Sequence, residues 1–430
     1  MANATKRAIS TENGKISDSY VQYPSLPNGV NNAPGSNLRI CIVTSHFAGP
    51  AKTAGLGTAY MALGEALAAD GHDVTVLYLR GERSDQFSID YWVGHYRTRN
   101  ITFVPLGTYT EIDSDCPYFL RRPYEAYLWL KQHAFDVIHY SDCYGVGYHI
   151  ARAKRENKDF AATLLCAGTH GSAMWLETLD ALYSETEERR AHFFMERQSI
   201  AWADIVVSPS QYMLNWLSTQ GVPLPPKSYV QQNILPDISL RTSAKSAEAR
   251  PVKEIIFFGR MEPRKGLELF CDACDLLTAE EIRDVTVTFL GNSVKTPQGN
   301  TSDYVRNRAA RWPFAWQILA DKGHTEGQHY VQRPGLVAII PSLGENSPYT
   351  VLECLGAGVP FLASHVGGIA ELIAAEEIER VCFVPQPSFL AEKIRTALHE
   401  GVLPAHPAVD CESNKAAWLA WHRNLQLPNL

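Results

Sequence analysis

The sequence predicts an α/β protein made of two parallel-sheet domains. Short apolar runs alternate with segments of helical spacing from about residue 38 onward, and such strands suit parallel sheets that helices cover on both faces. The runs form two series, separated at 236–252 by a polar segment that contains prolines and lacks periodicity. We therefore predict two Rossmann-like domains facing a central cleft, with ligands bound beyond the carboxyl ends of the strands.

The first predicted domain covers residues 38–235. Its strands are predicted at 38–47, 74–79, 101–106, 135–141, 162–168 and 204–210. A helix is predicted at 58–71, where apolar residues fall on one face, and one or two long helices lie within 176–202. Residues 1–37 are rich in Ser, Asn, Gly and Pro, which predicts a disordered tail.

The second predicted domain covers residues 253–411. Its strands are predicted at 254–259, 285–291, 314–320, 336–342, 360–364 and 381–385. The helix predicted near 266–277 carries Cys271 and Cys274, whose CxxC spacing has no second pair, so core cysteines are favoured over zinc ligands. The final segment, 412–430, contains helical spacing, and we expect it to pack on the first domain and complete it.

Composition excludes several functional classes. The chain has 430 residues, of which 45% are hydrophobic and 20% charged, as in ordinary soluble domains. Its net charge of −7 argues against broad nucleic-acid binding. No apolar run approaches the length of about 20 residues that a membrane-spanning helix needs, and no signal-peptide pattern is present. We therefore expect a cytoplasmic protein. Two further features stay open: peripheral association with the inner face of the membrane, and a partner domain in a longer chain.

The most informative motif is PSLGENSPYTVLECLGAGVP, residues 341–360, which follows a predicted buried strand. Ser347 and Pro348 suit the N-cap and first residue of a helix, and the N-terminus of a helix can bind an anion. Glu345 and Glu353 frame that end and could accept hydrogen bonds from sugar hydroxyls. A capped helix with a solvated glutamate would show the same pattern.

Basic side chains follow another predicted strand, in the segment GRMEPRKG at 259–266. Arg260 and Lys265 could neutralise a diphosphate, Arg260 through a bidentate fork and Lys265 as a point charge. Arg264 could act as a third cation. An ordinary solvated basic turn is the alternative for this segment.

Two further loops follow strands of the first predicted domain. The segment AKTAGLG at 51–57 places Gly55 and Gly57 where the backbone can approach a ligand, although it matches neither the dinucleotide fingerprint nor the P-loop. The segment GTHGS at 168–172 places His170 where it could donate to a substrate oxygen, and a structural histidine is an equal alternative.

Two other segments are less specific. The motif Asp113-Ser114-Asp115 has the DxD spacing of some metal sites but lies in an irregular segment, so no metal site is predicted. The aromatic stretch at 116–135 could stack on an acceptor sugar, although the packing of a helix against the core explains it as well.

Taken together, these segments resemble a GT-B glycosyltransferase, most of all the retaining family 4 enzymes (glycosyl transferases group 1). The resemblance rests on Glu345-x7-Glu353 within ENSPYTVLE, the following CLGAGVPFLASHVGGIAEL, GRMEPRKG, the THG around His170 and the glycine loop. Order and spacing match from about 38 to 400. The glycine loop is also similar to the KTGGL region of glycogen and starch synthases, with Ala54 in place of a glycine.

The resemblance implies a retaining hexosyltransferase-like enzyme of polysaccharide biosynthesis, whose C-terminal domain binds a nucleotide-sugar donor of the UDP, GDP or ADP type. It implies that Arg260 and Lys265 hold the diphosphate. Glu345 would bind the donor sugar and Glu353 the ribose. His170 would contact the donor sugar near the reacting carbon.

It further implies that backbone amides near Asn346, Ser347 and Tyr349 hold the distal phosphate, while Gly55 and Gly57 close on it from the other domain. Such enzymes normally need neither a cofactor nor a catalytic metal. The acceptor would be a glycan, a lipid-linked sugar or a small molecule. Two rival functions share this fold: a nucleotide-sugar epimerase, and a non-catalytic donor-binding subunit or module of a larger transferase.

Overall fold

The computed structural model describes residues 21–27, 37–51, 55–109, 112, 115–180, 186–236, 251–320 and 322–428. Most of the predicted tail, most of the predicted linker and Asp113 lie outside the described residues. The described part forms two α/β domains, each built on one parallel sheet. Across these ranges, every helix is too short or too polar to traverse a bilayer.

The first domain is built on a seven-stranded sheet. Its strands are β1 (Arg39–Thr44), β2 (Asp73–Tyr78), β3 (Ile101–Pro105), β4 (Val137–Ser141), β5 (Leu164–Gly168), β6 (Ile205–Ser208) and β7 (Ser228–Val230). Their order is β3-β2-β1-β4-β5-β6-β7, so the chain reverses its winding between β1 and β4. At such a reversal the loops that follow the strands open a crevice, the usual ligand site of this architecture.

Helices cover both faces of this sheet. They are α1 (Gly55–Ala69), α2 (Ile89–Arg97), α3 (Tyr118–Leu130), α4 (Tyr148–Arg155), α5 (Ala173–Asp180), α6 (Glu187–Ala201) and α7 (Gln211–Thr219). Strand interiors are fully buried, as at Ile40 and Ile42 of β1. Each such side chain contributes about 1.5–3 kcal/mol of burial free energy, which explains why continuous apolar runs predict these strands.

The second domain contains a six-stranded parallel sheet of order β12-β9-β8-β13-β14-β15 and a small hairpin. The strands are β8 (Glu254–Phe258), β9 (Thr286–Leu290), β10 (Lys295–Thr296), β11 (Gly299–Asn300), β12 (Trp316–Leu319), β13 (Leu336–Ile340), β14 (Phe361–Ser364) and β15 (Cys382–Phe383). The helices are α8 (Leu267–Asp275), α9 (Thr301–Ala309), α10 (His324–Val331), α11 (Tyr349–Ala357), α12 (Ile378–Val381) and α13 (Pro387–Glu400). Here the winding reverses between β8 and β13.

The predicted α/β class with two parallel sheets is confirmed, and each predicted strand has a counterpart in one of the sheets. The prediction omits the three-residue strand β7, the hairpin β10–β11 and helix α2, because short elements leave little periodic signal. Cys271 and Cys274 are buried in the core of the second domain, which confirms the interpretation of this pair as core cysteines.

Residues 21–27 differ from the predicted disordered tail. Ser25 forms a parallel bridge with Val230, and the backbone N–H of Val230 donates to the carbonyl oxygen of Pro24 at 2.8 Å. Leu26 is buried in the core of the first domain. The segment therefore covers the edge strand β7, whose backbone groups would otherwise lack partners.

The last helix, α14 (Cys411–Arg423), packs on the first domain although it follows the second along the chain. Trp418 and Trp421 are buried in the same core as β1. The Nε2 atoms of His422 and His139 lie 3.0 Å apart, and the guanidinium of Arg423 forms an ion pair with Asp70. The chain therefore returns to the first domain after it completes the second.

Candidate functional site

The point of winding reversal in the second sheet, between β8 and β13, holds a buried ion pair. Lys265 lies in a single 3-10 turn (Pro263–Lys265) after β8, and its Nζ donates to Oε1 of Glu345, which follows β13. The hydroxyl of Ser342 donates to the same oxygen at 2.7 Å. A side chain at Gly266 would place its Cβ 1.8 Å from the carbonyl oxygen of Pro341, so only glycine lets the turn approach the β13 loop this closely.

Two arginines continue this cluster toward solvent. Nη1 of Arg264 lies 3.8 Å from the Glu345 carboxylate, and its Nη2 donates to Glu262 at 2.9 Å. Arg260 also donates to Glu262, at 3.0 Å, and its side chain is 43% exposed. Burial raises the pKa of Glu345, but the charges of Lys265 and Arg264 outweigh it and hold that pKa below its usual value. Glu345 therefore stays ionised at neutral pH, while burial lowers the pKa of Lys265 from its usual value.

Helix α11 begins one residue later than the sequence predicts. Tyr349 is its first residue and Pro348 its N-cap, which has no side chain able to cap the helix. The backbone N–H of Val351 donates to the carbonyl oxygen of Pro348 at 3.1 Å, whereas those of Tyr349 and Thr350 have no partner within the helix. The hydroxyl of Ser347, predicted as the cap, is buried and lacks a hydrogen-bond partner among the described residues. The structure thus places unsatisfied donors where the sequence predicts an anion site.

Glu353 lies in the second turn of α11 and is buried. Its Oε1 is 2.8 Å from Nε2 of His324, the first residue of α10. The hydrogen bond to Glu353 raises the pKa of His324 above its usual value. Glu353 was predicted as a site residue and His324 was not, since nothing in the local sequence distinguishes this exposed histidine.

The two predicted glycines lie within the first turn of α1 rather than in a loop before it. A Cβ on Gly55 would lie 3.1 Å from the ring of Tyr349, so this turn faces the N-terminus of α11 across the cleft. The carbonyl oxygen of Gly57 accepts a hydrogen bond from Ala48 at 3.1 Å. The residues between Ala51 and Gly55 lie outside the described part of the chain.

His170 follows β5 and points toward α1. Its backbone N–H donates to Asp142 at 2.9 Å, and its ring lies 5.2 Å from that of Tyr60. The absence of a side chain at Gly168 leaves space for both His170 Nε2 and the Tyr60 hydroxyl. That hydroxyl is buried and has no hydrogen-bond partner in the described residues. Burial lowers the pKa of His170 to about 4, so its imidazole is neutral at pH 7.

Hydrogen bonds across the cleft join the two domains, and we call this set the domain seam. The second domain contributes Asn346 and Glu371. The first domain contributes Thr169, Ser210 and helix α7. Asn346 donates from Nδ2 to the carbonyl oxygen of Thr169 at 2.9 Å and accepts from Ser210 at 2.5 Å. Glu371 accepts from the first two N–H groups of α7, at 2.6 and 2.8 Å. The Asn346 side chain is therefore committed to the seam.

Tyr349 also contacts the first domain. Its hydroxyl donates to the carbonyl oxygen of Ile234 at 3.0 Å. Because the side chains of Asn346 and Tyr349 both bond across the cleft, only their backbone groups remain for a ligand at the α11 N-terminus. Glu371 lies within the segment HVGGIAEL that carries the family resemblance, and Ser210 ends the strand predicted at 204–210, but neither was assigned a role from the sequence.

No group of three or more His, Cys, Asp or Glu side chains converges as a metal site within the described residues. Of the DxD motif, only Asp115 is described, and it is exposed. Phe119, from the predicted aromatic stretch, lies on α3, with its ring 5.6 Å from that of His192 on α6.

Family models match both halves of the chain. Residues 53–229 match the model described as Glycosyltransferase Family 4, and residues 240–413 match the model described as Glycosyl transferases group 1. No curated protein matches the chain in sequence.

Solved structures share the whole architecture. A sucrose-phosphate synthase from Thermosynechococcus elongatus is 18% identical, with a TM-score of 0.61 over 89% of this chain and 93% of that one. The catalytic domain of starch synthase IV from Arabidopsis thaliana, bound to ADP and acarbose, is 14% identical, with a TM-score of 0.58 over 91% and 96%. Anabaena HepE, in complex with UDP and glucose, is 14% identical, with a TM-score of 0.57 over 90% and 93%. At these identities the likeness establishes the fold.

Proposed function

We propose that this chain, which belongs to the GT-B glycosyltransferases of family 4 and group 1, moves a sugar from a nucleotide-sugar donor to an acceptor hydroxyl with retention and without a metal ion. The observation that carries the proposal is the cluster at the N-terminus of α11. There Lys265, Arg264 and unsatisfied backbone donors surround the ionised Glu345. Two similar structures contain bound ADP or UDP, which supports a donor of this class.

In the proposed reaction the bond between the anomeric carbon and the diphosphate oxygen breaks, and the diphosphate keeps the electron pair. Lys265 and Arg260, together with the first turn of α11, stabilise the negative charge that develops there. These cations and amides supply the stabilisation that a metal ion provides in other transferases. The acceptor hydroxyl attacks from the face that the diphosphate leaves, and its proton passes to a diphosphate oxygen.

The remaining residues position the sugar. Glu345 accepts hydrogen bonds from donor sugar hydroxyls. Glu353 binds the ribose after its hydrogen bond to His324 breaks. His170, a neutral imidazole held by Asp142, contacts the sugar near the reacting carbon. Gly55 and Gly57 bring the first turn of α1 against the distal phosphate. The proposed location of this reaction is the cytoplasm.

The test is a panel of UDP-, GDP-, ADP- and dTDP-sugars. A donor that binds only the folded chain raises its melting temperature, so one nucleotide class should give a shift. Slow hydrolysis of that donor, followed by NMR, should release sugar with the donor's anomeric configuration and should persist in EDTA. Lys265→Ala should lose the shift, whereas Lys253→Ala, at the opposite end of the sheet, should keep it.

Five results would contradict parts of the proposal. Absence of any thermal shift would contradict donor binding, and a shift without any hydrolysis would favour a non-catalytic donor-binding subunit. Release of the opposite anomer would exclude retention, and loss of turnover in EDTA would exclude a metal-independent reaction. Conversion of the donor sugar to its epimer without release would favour an epimerase.

A further inference from the structure

Two polar side-chain atoms converge on the space beside Gly168, the last residue of β5. A Cβ added at this glycine would lie 2.9 Å from Nε2 of His170 and 3.0 Å from the hydroxyl oxygen of Tyr60. The two groups belong to different elements, because Tyr60 lies on α1 and His170 in the loop after β5. The absence of a side chain at Gly168 therefore brings a phenol and an imidazole together at one point.

The hydroxyl of Tyr60 is a buried polar group that lacks a partner. The residue is 3% exposed and packs in the core of the first domain, and no residue that the structure describes forms a hydrogen bond to its hydroxyl. A phenylalanine would fill the same space without burying an unpaired polar atom, which is unfavourable. Burial, and then the charge of Asp142, raises the pKa of Tyr60 well above its usual value. The hydroxyl therefore keeps its proton and is available as a donor.

The His170 ring presents an acceptor edge to this hydroxyl. Nε2 and Cδ2 are its atoms nearest the space beside Gly168, and Nδ1 is the ring atom opposite that edge. Because burial lowers the pKa of His170 to about 4, the imidazole is neutral at pH 7, with a proton on one nitrogen and a lone pair on the other. The partner of Nε2 therefore decides which nitrogen carries the proton.

A small cavity adjoins both side chains. It has a volume of about 30 Å³ and is lined by residues of α1 and of strands β4–β6, including Tyr60, Gly168 and His170. Gln231 and Asn233 add side-chain amides to the lining. A cavity of about 10–15 Å³ is enough for one water molecule. Hydrogen bonds of catalytic groups are also often long in a ligand-free protein and shorten in the substrate complex. A hydrogen bond between the two groups therefore needs only one water or a small ring rotation.

We propose that Tyr60 is a positioning residue for His170, and that its hydroxyl donates to Nε2, directly or through one water, and so keeps the proton of the imidazole on Nδ1. The Nδ1–H group is then the donor that meets an oxygen of the bound sugar. Asp142 holds the backbone N–H of His170 at 2.9 Å, so buried groups set both the position and the tautomer of this ring. This inference rests on the proposed glycosyl transfer and deepens the role given there to His170.

The position of Tyr60 on α1 adds a consequence. The first turn of the same helix holds Gly55 and Gly57, which are proposed to meet the distal phosphate. One helix would thus contact the donor at its phosphate end and orient the imidazole at its sugar end.

The test measures the ring nitrogen shifts of His170 in the full chain labelled at histidine, by proton–nitrogen correlation NMR, which distinguishes protonated from unprotonated ring nitrogens. His170→Gln identifies the signals by their loss. The wild type should carry the proton on Nδ1. Tyr60→Phe, which removes only the hydroxyl, should move part of the proton population to Nε2. In donor hydrolysis the same variant should lower kcat about 3–10-fold and leave donor affinity within about twofold.

Two further variants separate positioning from packing. In a His170→Ala background, Tyr60→Phe should not lower kcat further, because a residue that acts through His170 loses its role with that ring. Tyr140→Phe is the matched control, since Tyr140 is a buried tyrosine of the same domain whose hydroxyl donates to the carbonyl oxygen of Ser199 at 2.9 Å. It should keep the wild-type shifts of His170 and the wild-type kcat.

Three outcomes would overturn the inference: a wild-type proton on Nε2, unchanged His170 shifts in Tyr60→Phe, or an equal loss of kcat from Tyr60→Phe with and without His170. The NMR measurement needs no donor and is independent of turnover. If the shifts depend on Tyr60 but no nucleotide sugar is hydrolysed, the pairing of Tyr60 with His170 stands and the proposed transfer fails.

Discussion

The two domains share an architecture, yet the crevices at their points of winding reversal differ in electrostatics. In the second domain Lys265, Arg264 and Glu345 form a charged cluster beside an uncapped helix N-terminus. In the first domain the corresponding loops present His46 and His170, whose pKa values burial lowers. One side of the cleft therefore carries an ion-pair cluster, whereas the imidazoles on the other side are neutral at pH 7.

This difference fits the two ends of a glycosyl transfer. A departing diphosphate gains negative charge, which fixed cations stabilise. A sugar acceptor is neutral, so its recognition depends on ring surface and hydrogen bonds rather than on charge. Buried carboxylates in the first domain serve as backbone acceptors, and burial raises the pKa of Asp142 to about 6 and that of Glu196 to about 8. Removal of a charged group from the second domain's site should therefore mainly reduce turnover, whereas removal of one from the first domain should mainly change stability.

The largest effect is expected from Lys265→Ala. The change removes a cation from the leaving group and leaves Glu345 buried without its main partner. Removal of one preorganised group at a developing charge costs about 10²–10³ in turnover, so we expect a loss of this size in kcat, measured by donor hydrolysis. Adding Glu345→Gln should recover part of the lost melting temperature without recovering turnover. Recovery of both would contradict a role at the leaving group.

The next largest effect is expected at the domain seam. Glu371→Ala removes the acceptor for the first two N–H groups of α7, and hydrogen bonds to a charged group are worth about 1.5–3 kcal/mol. We expect kcat to fall about 10–100-fold with a smaller change in donor affinity, because the residue joins the two domains and does not touch the donor cluster. Small-angle scattering should show a wider cleft.

Glu376→Ala is the matched control for the seam, because Glu376 is exposed in the turn that follows. It should change neither kcat nor the scattering profile. An equal loss in both variants would mean that the region tolerates no substitution, and the seam would have no specific role.

A smaller effect is expected from Glu196→Gln, and it depends on pH. Burial raises the pKa of Glu196 from 4.5 to about 8. Between these values the folded chain holds a proton that the unfolded chain releases, so this residue's contribution to stability is present at low pH and lost as pH rises toward 8. The melting temperature of Glu196→Gln should therefore rise relative to the wild type, by several degrees, from about pH 5 to 9.

Asp142 and His192 face Glu196 and titrate in both proteins, so the difference between the two melting curves isolates Glu196. Glu188 is exposed on the same helix. The melting temperature of Glu188→Gln should change with pH as that of the wild type does. A difference for Glu196→Gln that does not change with pH would show that this carboxyl is ionised in the folded state throughout.

The smallest effect is expected from His324→Ala. His324 hydrogen-bonds Glu353 at 2.8 Å, which raises the pKa of the histidine; in the proposed function the donor ribose takes its place on Glu353. Since the positive charge of His324 is lost as pH rises through that raised pKa, its hold on Glu353 weakens, and wild-type donor affinity should increase toward alkaline pH. His324→Ala should remove this slope and change donor affinity less than about fivefold. His329→Ala, exposed on the same helix, should retain the slope.

Much of the second domain's site could be predicted because its residues lie in short segments directly after strands. Lys265 and Glu345 are 80 positions apart, yet parallel strands bring their carboxyl ends to one edge of the sheet. The charged side chains and the glycines at fixed offsets make these segments visible in a single sequence. The start of α11 and the placement of both α1 glycines within the helix were not predicted, since helix ends depend on capping details.

The approach of Tyr60 to His170 could not be predicted from the sequence. Tyr60 lies within the helix predicted at 58–71 and His170 after the strand predicted at 162–168, and no local pattern relates the two. Only the packing of α1 against the sheet brings the hydroxyl and the imidazole to the space beside Gly168. The aromatic stretch at 116–135 gave the stronger sequence signal, and its Phe119 packs instead against His192 of α6.

The sequence by itself determined the α/β class, the two sheets and the charged segments of the second domain, because apolar periodicity and strand-end motifs are local properties. Only the tertiary structure decided which of these residues face one another. It set the seam through Asn346 and Glu371, the covering of edge strand β7 by residues 21–27, and the placement of Tyr60 beside His170. Those features depend on contacts between distant segments, and burial at such contacts fixes the charge state of groups such as His170 and Glu196.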